Sequence, residues 1–142
     1  MWGGNSTVKN AMLCAVCCIA TFIIGGISGI FLSAPPVDYQ LTDTYFVVAH
    51  LHYVLFAGSM MGLFSGTYYW CPKMTGKLLN ETLGKIHFWL VMVGLTLAFF
   101  PMHWLGMAGM PRRIYTYHGD MGWDLWNLVS TIGAFTIALG VL

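Results

Sequence analysis

The sequence predicts an all-α, polytopic transmembrane helical bundle, and three observations carry that reading. The 142 residues are 58% apolar and only 8% charged, whereas roughly a quarter of an average soluble domain is charged. Four stretches, 11–32, 44–70, 86–111 and 125–142, contain no Asp, Glu, Lys or Arg, and about 20 predominantly apolar residues suffice to cross the ~30 Å hydrocarbon layer as a helix. None of these runs shows the alternation of a barrel strand, so a helix, which satisfies its own backbone in lipid, is the spanning form. The 6 basic and 5 acidic side chains leave a formal net charge of +1. No basic stripe exists to neutralise phosphates, which excludes nucleic-acid binding.

The first span, 11–32, is too long for the roughly 7–15-residue core of a secretory signal, and Ser33-Ala34-Pro35-Pro36 ends it. The second, 44–70, is expected to stop at Cys71-Pro72. The third, about 86–105, is separated from the fourth, 124–142, by a glycine-rich segment that contains Gly109-Met110-Pro111. Met1-Trp2-Gly3-Gly4 reads like the tail of a loop and the last span runs to Leu142 without a flanking charge, so 1–142 is expected to be one partial domain of a larger protein. Short connections make neighbouring spans antiparallel, placing loops 33–43 and 106–122 at one end and loop 71–85 with the N-terminal segment at the other. Lys9, Lys73, Lys77 and Lys85 mark the second end as cytoplasmic by the positive-inside rule. Asn5-Ser6-Thr7 and Asn80-Glu81-Thr82 match the glycosylation pattern but fall on that side and are set aside. Tyr68-Tyr69-Trp70 and Trp89 at one boundary, and Trp104, Tyr115, Tyr117 and Trp123 at the other, are read as interfacial anchors or packing residues.

His50-Leu51-His52 is the sharpest chemical feature, since ionisable residues at membrane depth are functional candidates by default. Two positions apart on a helix is about 200° of rotation, so the imidazoles leave from nearly opposite faces. One metal cannot take both. As ligands they would serve two centres flanking one helix; the alternative is a pair of histidines hydrogen-bonded to neighbouring helices. At 1.5 Å per residue they sit about 9 and 12 Å below Thr44, with Asp38, Asp43, Arg112 and Arg113 in the loops above. A haem held edge-on by one histidine would carry its propionates to that level, where two guanidiniums suit two carboxylates. The alternative for the arginines is a surface or headgroup pair. Cys14, Cys17 and Cys18 share a helix but lack a fourth metal ligand of suitable spacing, and no Cys-x-x-Cys-His motif is present for covalent haem. His87 and His103 lie near opposite ends of the third span, at depths expected to differ from that of the histidine pair, and are expected to be interfacial or structural; His118 is in a loop.

Asp43-Thr44-Tyr45-Phe46-Val47-Val48-Ala49-His50-Leu51-His52-Tyr53-Val54, then Gly84-Lys85-Ile86-His87-Phe88-Trp89, then Gly109-Met110-Pro111-Arg112-Arg113 together resemble the carboxy-terminal part of subunit I of haem-copper cytochrome c oxidase. The resemblance covers nearly all of 2–142 and implies that the spans are the ninth to twelfth helices of a twelve-helix core. It implies that His50 is the proximal ligand of the high-spin haem iron, and that His52 is an axial ligand of the low-spin haem iron. It further implies that Arg112 and Arg113 hold propionates, that Asp38 sits beside a propionate of the high-spin haem, and that Asp43 is a ligand of magnesium. Two positions depart from the family pattern: Thr42 stands where many members have His, and Leu51 where Phe is usual. The implied cofactors are two haems of the A type, copper in a centre completed by the missing part of the subunit, and magnesium. The implied partners are the rest of subunit I, a copper-carrying subunit II, other oxidase subunits, cytochrome c as electron donor and membrane lipid. The function expected of the whole subunit is O₂ reduction to water coupled to proton translocation in a bacterial plasma membrane, with this chain alone inactive. A quinol-oxidising relative, and a haem protein that only relays electrons, are the alternatives.

Overall fold

The computed structural model describes Gly4 and residues 7–142; Asn5 and Ser6 of the first glycosylation pattern lie outside the described residues. Among the described residues six α-helices follow in order: α1 (Asn10–Leu32), α2 (Pro35–Leu41), α3 (Tyr45–Leu51), α4 (Gly58–Thr75), α5 (Glu81–Met107) and α6 (Asp124–Val141). A π-helical turn, His52–Ala57, joins α3 to α4 in one continuous span of 31 residues. Among the described residues four helices are long and apolar enough to cross a membrane, and the fold is an all-α transmembrane bundle. Among the described residues the β-type pairing is an isolated bridge between Thr44 and Pro111.

Local signals explain most boundaries. Pro35 and Pro36 occupy the first turn of α2, where the missing amide costs nothing. Pro72 does not end the second span as expected: the helix runs on to Thr75 and stops at Gly76, whose φ of 69° supplies the left-handed cap. The third helix begins at Glu81, before its expected start, because the Asn80 side chain caps it by accepting from the amides of Thr82 (2.9 Å) and Leu83 (3.3 Å). That gives Asn80 a structural role and puts Glu81 in the first turn, where the helix dipole favours an acid.

Contacts fix the directions of the helices. Ser65 donates to Ala11 O and His50 to Gly25 O, so α1 runs antiparallel to the second span. Phe46 meets His103 and Tyr68 meets His87, so α5 also runs antiparallel to it. Lipid offers no hydrophobic driving force between helices, and small residues permit close approach instead. On α5, a Cβ added to Gly94 would lie 2.7 Å from Ile137 N and 2.9 Å from Gly133 O; α6 therefore packs backbone to backbone through this point. Cys14 and Cys17 are buried with Met61, Phe88 and Val91, where Cys17 donates to Met92 Sδ and Cys18 to Gly58 O; these thiols are packing residues. Trp123 is buried with Leu105 and Met110 and packs on Tyr117, so both aromatics serve packing.

Candidate haem-binding site

His50 points away from the bundle's central helix onto α1. Its Nδ1 lies 2.7 Å from Gly25 O and 3.0 Å from Ser28 Oγ, and the Ser28 hydroxyl donates to the same carbonyl at 2.7 Å. A carbonyl can only accept, so Nδ1 carries the proton and Nε2 keeps a free lone pair. The Cε1 edge of the ring abuts Gly29, where an added Cβ would come within 2.6 Å of His50 Cε1. Glycine at 29 is therefore a condition of this ring position.

His52 leaves the other side. Its Nδ1 donates to Val48 O, one turn back on its own helix, at 2.7 Å. The ring stacks on Phe99 of α5, centroids 4.4 Å apart and planes 21° apart, with Phe56 at 6.3 Å. The two histidines thus face α1 and α5 respectively, each half-buried, each with Nδ1 committed to a backbone carbonyl and Nε2 unengaged among the described residues. A ligating histidine is ordinarily held in this way, its second nitrogen fixing tautomer and orientation. The π turn begins at His52, and such widenings are frequent at functional sites.

Loops 41–45 and 109–113 meet above the pair. Tyr45 N donates to Met110 O at 3.0 Å and Arg112 N to Asp43 O at 2.9 Å, and the Arg112 guanidinium pairs with the Asp43 carboxylate. Asp43 and Arg113 are the non-glycine residues with positive φ among the described residues, 57° and 65°, an uncommon conformation that surrounding structure must impose. Arg112 Nε is buried without a partner among the described residues. Asp38 and Arg113 are exposed, and the described side chains give neither an ion pair or hydrogen bond. The structure therefore joins Asp43 to Arg112 and leaves Asp38 and Arg113 apart from them.

One histidine lies elsewhere than expected. His103 packs edge-on against Phe46 at 5.0 Å and near Tyr53 at 5.7 Å, which flank the histidine pair, and its Nδ1 is buried without a partner among the described residues. It belongs to the level of the pair, because Gly106 lets α5 close on Phe46. Helical rise along the third span alone, without the tilt and register of α5, could not have placed it. His87 shares a 3.0 Å hydrogen bond with Tyr68 and meets Phe64 edge-on at the lysine end.

The residues present suit haem: two imidazoles with free Nε2 atoms on opposite faces of one helix, and a basic loop above them. Residues 1–136 match the family model "Cytochrome C and Quinol oxidase polypeptide I", and the chain belongs to that family. It is 53% identical over its whole length to cytochrome c oxidase subunit 1 of Alkalihalophilus pseudofirmus, covering 23% of that protein. It is 51% identical to the Bacillus subtilis subunit, again over the whole chain and 23% of the relative. For the Thermostichus vulcanus subunit the values are 49%, the whole chain and 25% of the relative. The chain therefore spans about a quarter of the length of the relatives it matches.

Proposed function

We propose that this chain is the haem-holding carboxy-terminal portion of the catalytic subunit of a terminal oxidase, which as a whole passes electrons from cytochrome c to O₂, forms water and moves protons across a bacterial plasma membrane. The observation that carries the reading is the opposite-face pair. His50 would hold the iron of the high-spin haem and His52 that of the low-spin haem, each pre-oriented by its Nδ1–H bond. Haem, here of the A type, supplies the redox-active iron when bound. The Arg112 and Arg113 guanidiniums would bind propionates as charge-assisted pairs, with Asp38 beside the high-spin haem.

Copper and the second ligand of the low-spin iron would come from the rest of the subunit. Asp43, whose carboxylate is paired with Arg112, would provide one magnesium ligand; no cluster of three or more His, Cys, Asp or Glu occurs among the described residues, and the remaining ligands would come from the rest of the oxidase. Cytochrome c as donor is supported by the relatives' names, whereas the family model also spans quinol oxidases. The remaining partners would be the copper-carrying subunit II and other oxidase subunits. The lysine end would face the cytoplasm, which an impermeant thiol reagent tests: Thr116→Cys should react in intact cells and Lys77→Cys should not.

The haem reading is tested by redox spectra of membranes that carry the assembled oxidase. His52→Ala should abolish the low-spin signal and spare the high-spin one, and His50→Ala should do the reverse. Either variant losing both signals equally, or neither, would sink the two-centre assignment.

A further inference from the structure

At the lysine end, the start of α1, the end of α4 and the segment leading into α5 line an open cavity of about 850 Å³. Its wall is made of small residues, Ala11, Ala15, Gly62 and Gly66, and its mouth carries Lys9 and Lys73 beside Tyr69 and Trp70. Lys73 Nζ sits 3.5 Å from the centre of the Tyr69 ring. The positive end of α1 opens on the same place: its first turn has no acidic residue, and no described side chain caps it. Glu81 also lines the rim, but it lies in the first turn of α5, whose dipole it offsets. Asn10 lines the cavity as well, only 3% exposed; its Nδ2 donates to Glu81 O, and its Oδ1 has no partner among the described residues.

We propose that this groove is a binding site for one anionic phospholipid. A fatty chain fits the apolar, small-residue wall between two membrane helices. The phosphate meets two ammonium groups and a helix N-terminus at interfacial depth, where basic pockets between membrane helices recognise anionic headgroups. Aromatic rings that flank the mouth are at home at the same level. Nothing in this site depends on the haem assignment.

The test uses the delipidated, fully assembled oxidase, titrated with dioleoyl-phosphatidylglycerol and followed by native mass spectrometry. Dioleoyl-phosphatidylcholine and dioleoyl-phosphatidylethanolamine are the comparison lipids. The wild type should retain one phosphatidylglycerol that the double variant Lys9→Gln, Lys73→Gln holds about thirtyfold less tightly, two cations being removed. Lys77→Gln and Lys85→Gln, which lie outside the cavity lining, should keep it. Ala15→Phe should lose it by filling the wall; if that variant fails to assemble, the lysine pair still decides. Equal retention in all variants, equal loss in all lysine variants, or equal preference for phosphatidylcholine would overturn the proposal, as would another oxidase segment filling the groove and leaving no such lipid.

Discussion

His50 and His52 differ by two positions in sequence and by the origin of everything that holds them. His52 is fixed by its own helix, through Val48 O one turn back, with Phe99 adding a stacked face from α5. His50 depends on another helix altogether: Gly25 O, Ser28 Oγ and the bare backbone of Gly29 all belong to α1. Local orientation survives small shifts in helix packing, while borrowed orientation makes ligand geometry a reporter of how α1 and α3 are docked. Perturbations of α1 should therefore strike one centre, and perturbations of α5 the other.

The largest effect should come from Gly29→Val. Its side chain must occupy space held by His50 Cε1, and overpacking costs about 1–3 kcal/mol or more where neighbours cannot yield. Membranes carrying the assembled variant should show most of the high-spin haem lost and the low-spin band unchanged. Equal loss of both bands would mean that the helices, not the ring, had moved.

Phe99→Ala is the counterpart on the other face. It removes a stacked ring worth about 0.5–1.5 kcal/mol beyond its burial, but His52 keeps its bond to Val48 O. A broadened or shifted low-spin band with full haem content is expected, and high-spin ligand binding should be unaffected. Complete loss of the low-spin haem would show that α5, and not α3, sets the orientation of His52.

That asymmetry also marks how far the sequence could be read. The opposite faces of His50 and His52 follow from helical geometry alone, and the four spans follow from apolar length. Asn80 as a cap and Glu81 as a first-turn acid were legible by rule, yet the charges between 81 and 85 masked the start of α5. Ser28, Gly25 and Gly29 were not legible as a histidine cradle, because nothing local says which face of α1 meets which residue of α3. His103 was misplaced for the same reason: its level depends on the close approach of Gly106 to Phe46. Arg112 and Asp43 were legible as neighbours by topology, though not as partners.

Smaller effects belong to the loop level above both histidines. Asp43 is 71% exposed and Arg112 30%, so their pair is screened and worth about 0.2–1 kcal/mol. Asp43→Asn should barely alter thermal stability. Arg112→Leu should cost more than that, because a propionate would lose a guanidinium that Lys cannot replace bidentately. The expected readout is a shifted midpoint potential in Arg112→Leu, a smaller shift in Arg112→Lys and none in Asp43→Asn. An identical response in Asp43→Asn and Arg112→Leu would mean that the ion pair, not a propionate, is what Arg112 serves.

Ser28→Ala should be the mildest change and the most discriminating test of borrowed orientation. The hydroxyl donates to Gly25 O and stands 3.0 Å from His50 Nδ1, so it holds the carbonyl in the position where the imidazole N–H can reach it. Removing it leaves the 2.7 Å bond from Nδ1 to Gly25 O in place and forfeits about 0.5–1.5 kcal/mol, the net worth of one hydrogen bond. Haem content and assembly should be unchanged. With one fewer polar neighbour at Nδ1, the bond to Gly25 O alone sets how strongly the ring is polarised, so the iron–imidazole stretching frequency of the high-spin haem should shift while low-spin bands stay fixed. Ser28→Thr, which keeps the hydroxyl, should restore the wild-type frequency. If Ser28→Ala left the frequency untouched, or if it moved the low-spin bands equally, the idea that α1 tunes His50 through this hydroxyl would fail even with the ligand assignment intact.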